Sequence, residues 1–331
     1  MPGMVGGFGN FFVPLLIGAK EYLISFFYII KEDSKIVNIL SKGSISINKC
    51  NQVKIVSYHK NESSVLNAYL AGLFEGDGHI VITKKESSIR KIVIGITFNL
   101  KDLPLCNHLK LILGDGYIRI KDKENACVLI FHTDNGVIKI INLINGYLRS
   151  PKLYKFNLTI DYFNEKYSLG IPKYDVDRSN IRDNSWFAGF VDADGGFYIR
   201  YSDKKKFRIA CELRIEQRII DTLSGLSYEH MFSEIAELLG SKLEISTHNG
   251  KKYFLVRGSN RKSLKLILNY YNNFSLYSSK YLDYNNWNFA AKLLLENKAY
   301  SVNNRKIIYD LKHGMNNKRM QFNWNHLESL R

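Results

Sequence analysis

"LAGLFEGDG" (residues 70–78) and "FAGFVDADG" (187–195) are nearly the same nine residues, written twice in one chain of 331. Each carries an apolar, helix-like segment straight into an acidic turn ending in Asp–Gly. The copies stand about one small domain apart, so the repeat marks an internal duplication.

The segments downstream of each copy repeat too. After the first come "HIVITK" (79–84), "KIVIGITF" (91–98), "KDLPLCNHLKLILGDGYIRI" (101–120), "ACVLIFH" (126–132) and "GVIKIINLING" (136–146). After the second come "FYIRYS" (197–202), "FRIACELRIEQ" (207–217), "YEHMFSEIAELLGSKLEI" (228–245), "KYFLVRG" (252–258) and "RKSLKLILNYY" (261–271). The strand segments alternate or are β-branched, and the helical ones place apolar residues three and four apart. Both halves therefore read helix, two strands, helix, two strands, helix. The expected fold is α+β, two tandem pseudo-symmetric αββαββα domains over 56–169 and 184–300, each with its own core. A polar, aperiodic linker joins them at 170–183, and a basic tail over 301–331 has no assignable chemistry.

The amino terminus differs from the rest. "MVGGFGNFFVPLLIGA" (4–19) and "LISFFYII" (23–30) are apolar, but Lys20 and Glu21 separate them and neither reaches the ~20 residues of a membrane span. The pattern of a secretory signal is missing as well. Residues 1–55 are expected to be an extension outside the functional fold. A membrane protein is the weakest of the readings open here.

Charge narrows the partner. The chain has 47 Lys and Arg against 31 Asp and Glu, a formal balance of +16. Such a surplus suits a polyanion, nucleic acid first and anionic lipid second. The four cysteines form no C-x-x-C pair, which argues against a zinc site or a disulfide framework and for a reducing compartment. Usage rich in Ile, Asn, Lys, Tyr and Phe, with 5 Pro, fits an AT-rich gene of the organellar kind.

The duplicated motif carries the chemistry. Ala71 and Gly72, and Ala188 and Gly189, put small residues on one helix face, where two backbones can approach closely. If the two helices pack together, Asp77 and Asp194 meet at their ends. Two carboxylates that close repel unless a divalent cation lies between them, and hard oxygen donors in an open site suit Mg²⁺. Helix ends followed by acidic turns are common, as "LGDGYI" (113–118) illustrates; what sets this pair apart is its duplication. A calcium loop would need more spaced ligands than "DADGG" supplies.

Both strings resemble the signature of the LAGLIDADG homing endonucleases, over roughly residues 62–325. The resemblance implies a monomer whose two sheets form a saddle over duplex DNA, with metal-dependent hydrolysis of one phosphodiester on each strand. It makes Asp77 and Asp194 the metal ligands, while Glu75 and Asp192 hold the earlier acidic position, not usually a ligand. It also implies a basic residue before the last helix of each half, Lys152 and Lys280, and a glutamine closing the second strand. Gln217 fits that place; the first half has Phe98 there, which leaves two outcomes open, Asn99 beside it as a substitute or slower cleavage by that half. On the saddle, alternate positions counted from each Asp give Thr83 and Lys85 as DNA-binding residues in one half. In the other they give Tyr198, Arg200 and Lys204, with Arg208 and Arg214 on the next strand. The same family contains maturases, which bind intron RNA. The apolar amino terminus resembles a segment of cytochrome c oxidase subunit I, so an intron-encoded mitochondrial protein is expected.

Overall fold

The computed structural model describes residues 64–85, 88–203 and 207–331, with the side chains of residues 64 and 84–90 excepted. All belong to one compact unit, Val56–Arg331. The expected extension at 1–55, Cys50, Lys204 and the side chain of Lys85 lie outside the described residues.

Helix α1 (Ser64–Asp77) leads without a break into β1 (Gly78–Lys85), paired with β2 (Ser88–Asn99). Then come α2 (Leu103–Leu113), β3 (Tyr117–Lys121), β4 (Ala126–Phe131) and α3 (Asp134–Ile144). The second half repeats this as α5 (Trp186–Asp194), β5 (Gly195–Ser202), β6 (Arg208–Arg218), α6 (Glu229–Leu238), β7 (Leu243–His248), β8 (Lys251–Gly258) and α7 (Arg261–Asn273). The sheets are antiparallel with equivalent orders, β1-β2-β4-β3 and β5-β6-β8-β7. Each half then adds one helix to the expected αββαββα unit: α4 (Leu153–Tyr167) and α8 (Lys280–Leu295).

Alternation along the strands gives each sheet an apolar face and an open one. In β5, Phe197 and Ile199 are buried while Tyr198 and Arg200 are exposed. In β1, Ile80 is buried while His79, Val81 and Thr83 are exposed. The buried faces do not enclose the two separate cores expected from the sequence. One continuous apolar cluster runs through both halves, because α1 and α5 pack against each other and carry Tyr69, Phe74, Trp186, Phe187 and Phe190 into its centre. Fully burying such a side chain contributes about 1.5–3 kcal/mol.

Helix α9 (Val302–His313) and two short 3₁₀ turns end the chain. This segment is part of the fold: Ile308, Met315, Leu327 and Leu330 are buried. His108 on α2 contacts the Leu330 carbonyl at 2.8 Å, and His326 contacts that of Tyr277 at 3.0 Å. The last residues thus tie the first half to the second. Among the described residues, no helix is long and apolar enough to cross a membrane.

Candidate active site

The α1–α5 contact is a backbone contact. A Cβ on Gly72 would stand 1.9 Å from the Trp186 carbonyl oxygen, and one on Gly189 would stand 1.9 Å from that of Tyr69. Only glycine permits this approach from either side. Lower down, a Cβ on Gly76 would meet the Ala193 methyl at 2.2 Å. Ala71 and Ala188 are fully buried beside the glycines. The glycine after each aspartate is required by space: a Cβ on Gly78 would fall 2.4 Å from the Phe74 carbonyl oxygen, and one on Gly195 2.6 Å from the Val191 Cγ1.

Two buried carboxylates lock this contact, each bridging three places. Glu75 accepts from the backbone amides of Arg149 (3.0 and 2.9 Å) and Ser150 (2.6 Å), and from the Trp186 indole of the other half (2.7 Å). Asp192 repeats the device, accepting from the amides of Tyr277 (2.6 Å) and Ser278 (3.1 Å) and from the Tyr69 hydroxyl of the other half (2.7 Å). Burial raises both carboxyl pKa values, and the hydrogen bonds oppose that rise. These carboxylates hold the loops that precede α4 and α8.

Those loops deliver the two lysines. The Lys152 ammonium donates to the carbonyls of Gly76 (2.8 Å), Gly78 (2.8 Å) and Phe74 (3.2 Å). The Lys280 ammonium donates to those of Ala193 (2.6 Å) and Val191 (3.1 Å). Each cation thus sits at the carboxyl end of a motif helix, where the helix dipole favours it. Burial lowers both lysine pKa values, and the nearby carboxylates, Asp77 and Asp194 among them, oppose the fall.

Asp77 and Asp194 end the two motif helices, within the field of both cations. Burial, then the charge of Asp194, pushes the Asp77 carboxyl up to about 6, against the pull of Lys280 and Lys152. Burial raises Asp194 as well, opposed by Lys280, Lys152 and a 2.9 Å hydrogen bond from the Gln217 amide. The halves differ here. Strand register makes Ile96 the counterpart of Ile215, so buried Phe98 occupies the place of Gln217.

Asn99 does not substitute, which corrects the sequence expectation. It is one residue along an alternating strand and so faces away; its side chain is exposed and caps the next turn, accepting from the Lys101 amide at 3.1 Å. The structure thus brings together Asp77, Asp194, Lys152, Lys280 and Gln217, and leaves Asn99 outside. Sequence reasoning passed over Glu75 and Asp192 as binding groups, although their place two residues before each terminal Asp was a visible repeat.

The residues expected on the saddle share the open sheet faces. Thr83 is exposed on β1; Tyr198, Arg200 and Arg208 are exposed, and Arg214 is half-buried opposite Gly196. Two of these arginines are already paired, Arg200 with Glu212 at 2.7 Å and Arg214 with Glu216 at 2.7 Å. Tyr198, Arg200, Glu212, Arg214 and Lys312 of α9 line a cavity of about 400 Å³ on this face.

Comparison with known proteins agrees with this architecture. The sequence profile of a family described as LAGLIDADG endonuclease matches residues 70–163 and 187–291, one match per half. A Saccharomyces cerevisiae protein named intron-encoded DNA endonuclease aI3 is 28% identical over 369 aligned residues, covering 99% of this chain and 81% of that protein. An uncharacterised 37.2 kDa protein of cox1 intron 2 in Schizosaccharomyces pombe is 30% identical, covering 79% and 78%. The S. cerevisiae intron-encoded RNA maturase bI4 is 32% identical over 167 residues, covering 49% of this chain and 24% of its own length. The fold matches the crystal structure of the I-SmaMI homing endonuclease bound to cleaved DNA. Its TM-score is 0.61 and its identity 18%, over 77% of this chain and 98% of that one.

Proposed function

Since the chain belongs to the LAGLIDADG endonuclease family, we propose that it is an intron-encoded, site-specific endonuclease that breaks both strands of an intronless allele. The observation that carries this is the pair Asp77 and Asp194 at two touching helix ends, flanked by two half-buried lysines. Duplex DNA is the substrate, read by the open sheet faces, and the protein acts as a monomer because one chain supplies both halves of the site. The oxidase-like amino terminus points to a mitochondrial setting and to the exon junction of that oxidase gene as the target.

The donor set fits a divalent cation, Mg²⁺ in this reading. Two carboxylates supply hard oxygen ligands, and among the described residues no group of three or more His, Cys, Asp or Glu gathers into a closed cage. The remaining positions fall to water and to substrate phosphate, which is how Mg²⁺ is commonly held. A cation bound there would acidify a water and stabilise charge on the attacking and leaving oxygens.

The protein groups do the rest. Asp77 and Asp194 supply the negative charge that fixes the site, and Gln217 holds the Asp194 carboxylate in one orientation. Lys152 and Lys280 bring positive charge to the place where the phosphorane-like transition state gathers negative charge. Glu75 and Asp192 hold the lysine-bearing loops rigid, so little reorganisation is needed at the moment of reaction. Purified full-length chain, the intronless junction and Mg²⁺ test this. Cleavage of both strands is expected, and Asp77→Asn or Asp194→Asn should abolish it; no cut, or undiminished cutting by both variants, overturns the reading. Similarity to a maturase favours intron RNA binding as a second activity, read by a splicing defect when the protein is missing.

A further inference from the structure

The two open sheet faces carry different chemistry. Strands β1 to β4 contain no Asp or Glu at all. By register, Val81 and Thr83 on β1 share their open face with Lys91, Val93 and Thr97 on β2, Ile130 on β4, and Arg119 and Lys121 on β3; no glutamate on these strands holds those cations in place. Val81 is 48% exposed, so an apolar side chain is offered outward from the strand. Strands β5 to β8 carry three glutamates on their open face, each paired with an arginine. Arg200 meets Glu212, Arg214 meets Glu216 and Arg257 meets Glu244, each through its Nη2.

A carboxylate on a surface that faces phosphates is unfavourable unless it is neutralised or accepts a hydrogen bond. Each glutamate here does the first and holds its arginine in a fixed place. An arginine bound through one terminal nitrogen keeps further donors for the O6 and N7 acceptors of guanine. The outward methyls of valine, isoleucine and threonine match another major-groove feature, the 5-methyl of thymine.

Resting on the endonuclease reading above, we infer that the two sheets read opposite base chemistry. The β1–β4 sheet takes an A·T-rich half-site through thymine methyls. The β5–β8 sheet takes a half-site containing guanines, through glutamate-buttressed arginines.

Selection of a randomised duplex library by the full chain in Ca²⁺, followed by resynthesis of the enriched duplex, tests this. Replacing thymine by uracil removes the methyl and weakens binding about fourfold per contacted position in one half only. Replacing guanine by 7-deazaguanine weakens binding about tenfold in the other half only. Val81→Ser erases the uracil penalty at one position of the first half, and Arg214→Gln erases the deazaguanine penalty at one position of the second, which assigns each half to its sheet. Equal penalties in both halves, or the reverse assignment, overturn the inference while leaving site-specific DNA recognition intact. Enrichment of no sequence overturns both.

Discussion

Asp77 sits where burial works against its own charge. Its carboxyl titrates near 6, so the folded state holds that proton more tightly than the unfolded chain does. The stability cost is absent only below the ordinary value of 3.8, grows as pH rises from there through about 6, and is complete above it. Without divalent cation, Asp77→Asn should therefore stabilise the protein at pH 7, by on the order of 2 kcal/mol once solvent screening is allowed for. Urea denaturation in EDTA measures the gain, and the same experiment at pH 4 should show only a small part of it. Affinity for Mn²⁺ should fall as pH drops through about 6, because the ligand must lose its proton before binding; calorimetry at pH 5 and 7.5 reads this. Gln217 yields a separate expectation. Its bond to Asp194 has no counterpart across from Phe98, so the two strands see unequal sites. Gln217→Ala should slow cleavage of one strand by about tenfold or more, the worth of a hydrogen bond to a charged group, and leave the other unchanged. Strand-specific labelling of the nicked intermediate measures both rates.

Helices α1 and α5 convert a repeated string into a site. Their close approach was legible in the sequence, since small residues at matched places in a duplicated motif have few other uses. The aspartates at the ends were legible for the same reason. Other features depend on partners far along the chain. Glu75 meets amides more than seventy residues later, and two of the arginine–glutamate pairs, Arg200–Glu212 and Arg257–Glu244, exist only in the observed strand register. Asn99 shows the opposite case: strand alternation alone places it on the wrong face, so its exclusion could have been read in advance. Gly72→Ala tests the helix pair directly. The added methyl meets a backbone oxygen that cannot turn aside, and a loss of about 3 kcal/mol or more is expected from overpacking. Thermal unfolding of Gly72→Ala and Gly189→Ala should show equally large losses, whereas exposed Thr83→Ala should stay within about 0.5 kcal/mol.

The described residues form one unit built from two copies of a repeat, joined by α1 and α5 and by the carboxyl-terminal segment. From sequence the segment over 301–331 reads as a basic tail with one apolar patch and no assignable chemistry. In the fold these residues find separate seats, and Leu330 and Tyr277 supply carbonyls to histidines from distant elements. Ending the chain at residue 300 removes four buried apolar side chains and should lower stability by several kcal/mol, about 1.5 for each at the least. A truncated protein with an unchanged melting temperature would contradict that packing.

Whether one cation is shared by carboxylates from the two halves is decided by a crystal structure of the full chain with its DNA target soaked in Mn²⁺, read by anomalous scattering. A peak within about 2.2 Å of oxygens from both Asp77 and Asp194, lost in Asp194→Asn, is the expected result. Metal density confined to groups other than these two carboxylates would contradict it.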